Sequence, residues 1–264
     1  MKFRLAAIDL DGTLLTSRKT LTPRTIASVQ HAVHNGLTVV ICTGRMVQSA
    51  LRYWTQLQLD TPIAGYNGAH VKDVIRQDDL LLRPLPPDVT GDILAYCRER
   101  SLMPLTYQDD RLYVERECME VQHYSSTYGV PYEVVPALAD FLHKGSTKVL
   151  LSCPPEQCAR TAAEMQERFG NRVSVTQSEG RHVELNHPSA NKASAVAFLA
   201  NRFGVGREEI VAFGDGINDI EMLQYVGHGV AVANGWEEAK QAADEVIGSN
   251  DEDAVAQFLD SLEI

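Results

Sequence analysis

Short apolar runs alternate with amphipathic stretches at both ends of the chain. The run "RLAAI" precedes Asp9 and is short and continuous, which is typical of a buried strand in a parallel sheet. In "LTPRTIASVQHAVHNG", Thr22 and Pro23 mark the start of a helix and Gly36 lies just past its end. Next come a strand in "LTVVICTG", a helix in "RMVQSALRYWTQL" and a third short strand in "PIAGYNG". This alternation predicts right-handed crossovers and a parallel sheet with helices on both faces.

The pattern changes in the middle of the chain, where "RPLPP" from Arg83 reads as a connector. A helix is predicted from Asp88 to Arg100, followed by the extended pieces of "LTYQDDRLYVE" with an Asp-Asp turn. The strand "KVLLS" and the helix "PEQCARTAAEMQERFG" come next, and "RVSVTQSEGRHVEL" reads as a hairpin that turns near Glu179 and Gly180. Strands paired through turns predict an antiparallel sheet, and therefore a separate α+β unit.

The strand and helix alternation then returns in "SANKASAVAFLANRFG", "EIVAFGDG", "NDIEMLQYV" and "HGVAVANG". The simplest topology joins both ends of the chain into one Rossmann-like α/β core, residues 1–82 and 186–264, with 83–185 inserted as a cap domain. The length of 264 residues agrees with two domains, because it exceeds that of one typical domain.

Polar groups follow several of the predicted core strands. They occur in "DLDGT", "TGR", "NGA" and "GDGIND", and ligands of an open parallel sheet bind beyond the carboxyl ends of its strands. Asp9 and Asp11 alternate with Leu10, so both carboxylates lie on one side of an extended chain and repel each other unless a cation relieves them. Asp215 and Asp219 add two acids, and such a cluster favours a hard dication such as Mg²⁺.

Each motif taken alone also has a structural interpretation. Asp9 to Thr13 reads equally well as a turn that closes a strand, and Asp215 as a loop residue. Thr43 alone reads as the N-cap of the helix that follows, and Lys192 as a solvated lysine near a helix start. The motifs together favour a ligand-binding site, because all of them are predicted at one edge of the sheet.

Composition and charge narrow the classes of partner. The net charge of -11 argues against binding to nucleic acid or to anionic lipid, because no basic stripe offsets the acidic excess. No apolar run approaches the roughly 20 residues that span a bilayer. The 5 cysteines are scattered, which favours reduced thiols in the cytoplasm over disulfides or a zinc site. We therefore expect a cytoplasmic protein that needs neither nucleic acid nor a membrane, and the oligomeric state stays open.

In this order, "DLDGT", "TGR", "NGA", the lysine of "NKA" and "GDGIND" resemble the haloacid dehalogenase superfamily. The insertion after the third strand resembles its Cof-type branch of sugar phosphatases, which carry a C2 cap. The resemblance extends over essentially the whole chain, and the pair of a DxDGT motif with a distant GDxxND is its specific part.

The resemblance implies a role for each matched residue. Asp9 would be the nucleophile that takes the phosphoryl group as an aspartyl phosphate. Asp11 would protonate the leaving alkoxide and then activate water, while its backbone carbonyl joins the carboxylates of Asp9 and Asp215 on Mg²⁺. Asp219 would act on metal-bound water without contacting the metal. The groups implied to hold the phosphoryl oxygens are the Leu10 amide, Thr43, the Gly44 amide, Lys192 and Asn218.

Some positions are less well determined by the resemblance. Arg45 and Asn67 belong to matched motifs without an assigned role, and Ala193 stands where the family usually has a glycine. In the cap, Tyr107, Arg181, His182 and Glu184 are candidate substrate contacts. Tyr124 and Tyr128 share a predicted helix face, which favours packing over a stacking platform.

These residues predict a Mg²⁺-dependent phosphatase of small phosphorylated metabolites, with sugar phosphates as the expected class. A phosphomutase would use the same nucleophile but return the phosphoryl group to a sugar. A signalling module that stores phosphate on an aspartate would also combine acids, a threonine and a lysine, but such a domain is about half this length and its phosphorylated aspartate ends the third strand. A protein that only binds phosphate leaves the complete set of acids unexplained.

Overall fold

The computed structural model describes residues 3–178 and 180–262. Residue contacts separate the chain into two units: Met1–Leu80 with Asn191–Ile264, and Leu81–Ala190. These breaks fall after Leu80 and after Ala190, and the sequence pattern places them at 82/83 and 185/186. Within the second unit, the Arg83 guanidinium donates to the Ser189 carbonyl at 2.6 Å, so the segments at the start and end of the insertion are held together.

The strands and helices follow one another along the chain in three stretches. Before the insertion stand β1 (Leu5–Ile8), α1 (Pro23–His34), β2 (Thr38–Ile41), α2 (Val47–Gln56), β3 (Ile63–Gly65), β4 (His70–Asp73) and β5 (Asp78–Leu82). The insertion contains α3 (Pro87–Glu99), β6 (Pro104–Gln108), β7 (Arg111–Val114), α4 (Met119–Tyr128), β8 (Tyr132–Val134), α5 (Leu138–Phe141), β9 (Val149–Ser152), α6 (Pro155–Phe169), β10 (Ser174–Ser178) and β11 (His182–Asn186). After it come α7 (Lys192–Phe203), β12 (Ile210–Gly214), α8 (Ile220–Tyr225), β13 (His228–Val232), α9 (Glu237–Ala242), β14 (Glu245–Ile247) and α10 (Ala254–Ser261).

A 5-stranded sheet of order β14-β13-β12-β1-β2 organises the first unit. All of its strand pairs are parallel, as the sequence pattern predicts. β1 lies between β12 and β2, with Leu5 in register with Ile210 on one side and Thr38 on the other. Every residue of β1 is buried, because neighbouring strands and helices on both faces cover it. β1 is therefore an inner strand of the sheet, and its carboxyl end lies between those of β12 and β2.

The third predicted strand is not a full member of that sheet. β3 pairs antiparallel with β4 in a 3-stranded sheet of order β3-β4-β5, and a single parallel bridge joins Cys42 to Ala64. The reversal occurs in a 3-10 turn over Tyr66–Gly68, where Asn67 and Gly68 have φ values of 55° and 87°. These left-handed conformations turn the chain back on itself, so β4 returns along β3. The sequence pattern did not predict β4 or β5.

Helix α1 shows how local signals set an element that packs on the sheet. The Thr22 hydroxyl oxygen accepts from the Thr25 amide at 3.0 Å, and Pro23 occupies the first helical position, which confirms the predicted helix start. Val29 and Ala32 are buried against the core of the first unit. The helix ends at His34, two residues before Gly36, whose φ is 98°.

A 6-stranded sheet of order β10-β11-β9-β6-β7-β8 organises the second unit. All its pairs are antiparallel except β7 with β8, so the predicted α+β character is confirmed. Helices α3 and α6 cover one face through a cluster that includes Ile93, Met165 and Val183. β6 and β7 turn at the predicted Asp109-Asp110 pair, whose φ values are 52° and 56°.

The β10 and β11 hairpin also forms as predicted, with Ser178 in register with His182. Glu179 of its predicted turn lies outside the described residues. None of the helices built from the described residues combines the length and the apolar character that crossing a bilayer requires.

Candidate active site

The predicted acids follow adjacent strands of the parallel sheet. Asp9 comes directly after β1, and its amide donates to the Phe213 carbonyl of β12 at 3.0 Å. Asp215 comes directly after β12. Because β1 and β12 are parallel neighbours, their carboxyl ends bring these two acids to the same edge of the sheet.

Lys192 joins two of the acids. Its ammonium donates to Oδ1 of Asp9 at 2.7 Å and to Oδ1 of Asp219 at 2.6 Å. The three residues are buried, with exposures of 1%, 4% and 0%. Burial alone would lower the pKa of Lys192, but the charges of Asp219 and Asp9 outweigh it and raise that pKa, so the lysine is a permanent cation.

The start of helix α7 positions this lysine. Lys192 is its first residue, and Asn191 is the N-cap: the Asn191 side chain accepts from the Ser194 amide while Ser194 returns a bond to the Asn191 amide. Gly68 allows the turn after β3 to approach this point, because a Cβ there would lie 2.2 Å from the Asn191 carbonyl oxygen. The site therefore depends on Gly68 as well as on the lysine.

The remaining acids repel one another. Burial raises the pKa of Asp9 well above its ordinary value, the Lys192 charge opposes that rise, and the charges of Asp219 and Asp215 add to it. Burial likewise raises the pKa of Asp215 to about 7, with a further contribution from the charge of Asp219. One buried cation thus does not balance the negative charge of the cluster, and a further positive charge would stabilise it.

Oxygens of Asp9, Asp215 and Asp219 lie within 4.8 Å of one another, a geometry that could hold a metal ion. Asp219 is already engaged, since its Oδ2 accepts from the amides of Asp215 and Gly216 at 3.2 and 2.9 Å and its Oδ1 accepts from Lys192. Thr13 donates to Oδ1 of Asp215 at 3.0 Å and so fixes its orientation. Asp9 and Asp215 are therefore the carboxylates best placed to take a hard cation.

Asp11 lies outside that carboxylate group and contacts cations instead. Arg45 donates to both Asp11 carboxylate oxygens, at 2.5 Å from Nε and 2.7 Å from Nη2, and the Lys19 ammonium lies 2.8 Å from Oδ1. Burial would raise the pKa of Asp11, but the hydrogen bonds and charges of Arg45 and Lys19 outweigh it and lower that pKa to about 2. In this arrangement Asp11 is an ionised carboxylate at neutral pH.

Tyr53 supports both cations that bind Asp11. The Arg45 guanidinium lies 5.2 Å from the centre of the Tyr53 ring, and the Tyr53 hydroxyl donates to the Lys19 carbonyl at 2.9 Å. Arg45 also donates to the Ser49 hydroxyl at 3.3 Å. In the sequence, Arg45 belongs to a matched motif without an assigned role, and no pattern indicates Lys19, Ser49 or Tyr53. The position of Arg45 in the matched TGR motif was a visible signal, whereas Lys19 carried none.

The remaining predicted positions lie near the same sheet edge. Thr43 is buried, and its hydroxyl oxygen accepts from the Arg45 amide at 3.2 Å. It is not a helix N-cap, because α2 begins at Val47 with Met46 as its N-cap. Asn218 donates to the Asn67 side chain at 3.0 Å, which brings two of the motifs into direct contact.

The backbone next to these side chains is tightly packed. Gly44 links Thr43 to Arg45, and Leu10 is fully buried between the two motif acids. Gly12 has a φ of 84°, and a Cβ there would lie 2.3 Å from Oδ2 of Asp215. The glycine of "DLDGT" is thus required for the two acidic motifs to meet.

The candidate contacts in the second unit separate into two groups. Glu184 accepts from the Lys148 ammonium at 3.0 Å in a buried ion pair, and Tyr107 lies beside that lysine, with Nζ 5.3 Å from the ring centre. Arg181 and His182 instead line a cavity of that unit. Glu184 and Tyr107 therefore have structural partners of their own.

The chain is similar to known proteins over nearly its whole length. A family model for haloacid dehalogenase-like hydrolases matches residues 6–259. The chain is 32% identical to the 5-amino-6-(5-phospho-D-ribitylamino)uracil phosphatase of Bacillus subtilis over 97% of this chain and 96% of that protein. It is 30% identical to the pyridoxal phosphate phosphatase of Escherichia coli over 98% of both chains. A crystal structure of a haloacid dehalogenase-like hydrolase from Bacteroides thetaiotaomicron superposes with a TM-score of 0.88, at 27% identity and over 98% and 99% of the two chains.

Proposed function

Because this chain belongs to the haloacid dehalogenase-like hydrolases, among which its relatives are phosphatases, we propose that it is a Mg²⁺-dependent phosphatase of small phosphorylated metabolites. The observation that carries the proposal is the buried lysine that bridges Asp9 and Asp219, with an oxygen of Asp215 in the same cluster. A buried cation beside clustered carboxylates suits the binding of a phosphoryl group next to an acidic nucleophile.

Asp9 is the proposed nucleophile. Its carboxylate oxygen attacks the phosphorus of the substrate, and the bond from phosphorus to the leaving oxygen breaks, which leaves an aspartyl phosphate. Lys192 holds the attacking carboxylate through Oδ1 and its charge stays next to the phosphoryl oxygens. Covalent catalysis divides the slow hydrolysis of a phosphate monoester, which enzymes accelerate by up to about 10²¹-fold, into two easier steps.

Asp11 is the proposed acid and base. In the first step Asp11 acts in its protonated form, released from Arg45 and Lys19, and gives that proton to the leaving alkoxide. In the second step the resulting carboxylate takes a proton from the water that attacks the aspartyl phosphate. The ionised form that Arg45 and Lys19 stabilise is the form required for the second step. The Leu10 and Gly44 amides, Thr43 and Asn218 are the proposed donors to the phosphoryl oxygens.

Asp9, Asp215 and the Asp11 backbone carbonyl are the proposed Mg²⁺ ligands, with Asp219 as the group that orients Lys192 and the Asp215 amide. When bound, Mg²⁺ neutralises charge on the transferred phosphoryl group. The fit rests on the chemistry of the donors: hard oxygen ligands whose raised pKa values reflect too little positive charge around them.

The substrate class is the finer part of the proposal. The relatives from Bacillus subtilis and Escherichia coli are named for a ribitylaminouracil phosphate and for pyridoxal phosphate. Both names describe a small phosphorylated metabolite that contains a heterocyclic ring, whereas the resemblance to the Cof-type branch implied sugar phosphates. A screen should therefore contain both classes. The 5 cysteines are unpaired, in keeping with a proposed cytoplasmic location.

The central experiment measures phosphate release from 4-nitrophenyl phosphate with and without Mg²⁺ for the wild-type chain and Asp9→Asn. We expect the variant to lose at least about 10³-fold in kcat, because the amide cannot form the acyl phosphate. Asp260→Asn is the matched control, since that acid pairs only with the exposed Arg24 among the contacts described and should leave kcat unchanged.

Undiminished hydrolysis by Asp9→Asn would exclude Asp9 as the nucleophile. Product analysis with a sugar phosphate tests the phosphomutase alternative, because isomerised sugar phosphate without release of inorganic phosphate would contradict a phosphatase. Stable phosphorylation of the chain without turnover would point instead to a signalling module.

A further inference from the structure

The second unit contains a cavity of about 280 Å³ formed entirely by its own residues. Its walls come from helix α4, from the end of β9 and from the start of β11. Those residues are Met119, Glu120, His123, Tyr124, Thr127, Tyr128, Ser152, Arg181 and His182. A cavity of about 150 Å³ can hold benzene, so this one has room for a single substituted ring.

The cavity follows from the register of the helix and the sheet. The lining residues of α4 recur every four positions, in the two rows 119, 123, 127 and 120, 124, 128, so they share one side of the helix. On the sheet, His182 is in register with Ser152 on one side and with Ser178 on the other. Ser152, which lines the cavity, is small and leaves space beside the imidazole that a larger side chain would fill.

Aromatic rings form the inner wall. The ring centres of Tyr124 and Tyr128 lie 4.5 Å apart, and those of Tyr124 and Tyr128 lie 5.7 and 6.0 Å from that of His182. These three residues are 8%, 8% and 5% exposed, so packing fixes the position of each side chain. The Tyr107 hydroxyl donates to the Tyr124 hydroxyl at 2.8 Å, which orients that ring further. The shared helix face therefore packs, as the sequence pattern favoured, and also forms a wall of the cavity.

The rim combines groups that bind flat, electron-rich ligands. Arg181 is exposed at the end of the hairpin, and a guanidinium stacks on aromatic rings. Met119 is 80% exposed, and its thioether is suited to contact with a ring edge. Glu120 is the one carboxylate among the lining residues, and the lining includes no amide side chain. The three rings of the inner wall suit a flat ligand, and polar side chains of the lining such as Thr127 and Ser152 can bind its substituents.

We propose that this cavity binds a planar aromatic ring, which packs against Tyr124, Tyr128 and His182 beneath Arg181. The ring belongs either to the organic part of the phosphorylated substrate, which rests on the proposed function, or to a separate aromatic ligand, which does not. The two sources share one recognition chemistry and differ in the presence of a phosphate.

Binding is measured on the full chain carrying Asp9→Asn, so that turnover consumes no probe. Saturation-transfer NMR compares 4-nitrophenol and 4-nitrophenyl phosphate with glucose, which has no aromatic ring. We expect saturation transfer to 4-nitrophenol and none to glucose. Addition of Tyr128→Leu, which keeps apolar volume without a ring, should weaken 4-nitrophenol binding at least about fivefold.

Two further variants separate loss of the site from loss of the fold. Tyr128→Phe keeps the ring and should bind 4-nitrophenol within about twofold of the parent. Arg181→Gln changes an exposed side chain and should weaken binding by about threefold through loss of the cation above the ring. Unchanged binding in both Tyr128→Leu and Arg181→Gln, or equal saturation transfer to glucose, would overturn the proposal.

Kinetics on the chain with its native Asp9 identify the source of the ring. A raised KM of Tyr128→Leu for 4-nitrophenyl phosphate, with an unchanged KM for a hydrolysed sugar phosphate, assigns the ring to the substrate. Unchanged KM values together with Tyr128-dependent binding of 4-nitrophenol assign it to a separate ligand. Tyr128-dependent binding in a chain without phosphatase activity would refute the proposed function and leave the ring site standing.

Discussion

At the scale of single residues, Asp11 depends on the cations that surround it. Its side chain and that of Arg45 are 16% and 4% exposed, and two hydrogen bonds in the fork geometry of a guanidinium join them. Removal of one partner from such a pair leaves the other charge poorly solvated, which costs about 3–5 kcal/mol when the pair is fully buried. Lys19 also contacts Asp11, so its charge should reduce the loss of stability when Arg45 is removed.

We therefore expect Arg45→Met to lower the free energy of unfolding by about 2–4 kcal/mol near pH 7, measured by urea denaturation. Arg24→Met is the matched control, because its pair with Asp260 is exposed and should contribute less than about 1 kcal/mol. Equal losses in the two variants would show that the Arg45 pair does not stabilise the fold.

The same pair predicts a pH dependence. The pKa of Asp11 is lowered from 3.8 to about 2 in the folded chain, so its ionised form favours folding. This stability is fully present above the unfolded pKa and is lost as the pH falls from about 4 to about 2. The difference in unfolding free energy between the wild-type chain and Arg45→Met should therefore shrink across that range. A difference that stays constant with pH would contradict the assignment.

The sequence could predict the acids at this scale but not their neighbours. Asp9 and Asp215 stand directly after apolar runs, and the ends of parallel strands meet at one edge. Lys19 reaches Asp11 only because the loop from Thr16 to Thr20 folds back, with a φ of 58° at Lys19 and a bond from the Thr16 amide to the Thr20 carbonyl. No local pattern specifies that tertiary contact.

At the scale of elements, the start of helix α7 sets the position of Lys192. Asn191 caps the helix with a reciprocal pair of bonds to Ser194, and Lys192 is the next residue. Loss of an N-cap side chain costs about 0.5–2 kcal/mol of stability. It also loosens the first turn, which in this helix carries the group that holds Asp9.

We expect Asn191→Ala and Thr22→Ala to lose similar stability, about 1 kcal/mol each in urea denaturation, because each removes an N-cap. Only Asn191→Ala should also lower kcat, by about tenfold. The reason is that the Lys192 charge, once displaced by about 1 Å, stabilises the transition state less well. An equal kcat in the two variants would mean that the cap stabilises the helix without positioning Lys192.

Elements were predictable where short signals agree with the final packing. The Thr22-Pro23 start of α1 and the Asp109-Asp110 turn fall into this class. The pairing of β3 was not predictable. Its apolar run looks like that of a parallel strand, but the turn at Tyr66–Gly68 makes it pair with β4 in the antiparallel direction. A residue pattern shows that a strand forms but not which neighbour it pairs with.

At the scale of the whole molecule, the acidic cluster couples stability to pH and to metal. The pKa of Asp215 rises from 3.8 to about 7 on folding, so the folded chain keeps a proton that the unfolded chain has released. Without metal, this group therefore makes the fold less stable as the pH rises from about 4 to about 7. A bound dication reverses that effect, because it requires the ionised carboxylate.

We expect Mg²⁺ to raise the Tm more at about pH 8 than at about pH 5.5, measured by thermal unfolding in metal-free and Mg²⁺ buffers. Asp215→Asn should raise the metal-free Tm at the higher pH and should remove most of the Mg²⁺ effect. Asp260→Asn, far from the cluster in sequence and paired with Arg24, should retain it. A Mg²⁺ effect that is independent of Asp215 would place the ion elsewhere.

The hydrogen bond between Arg83 and the Ser189 carbonyl also has an evolutionary consequence. Domains whose two ends lie close together are tolerated as insertions, because the host chain needs to open at a single place. Residues 81–190 thus form an inserted segment whose two ends lie close together. Every residue of the proposed phosphoryl chemistry lies outside this segment. Recombination between related genes would replace this inserted segment in one event and would leave the residues of the proposed phosphoryl chemistry in place.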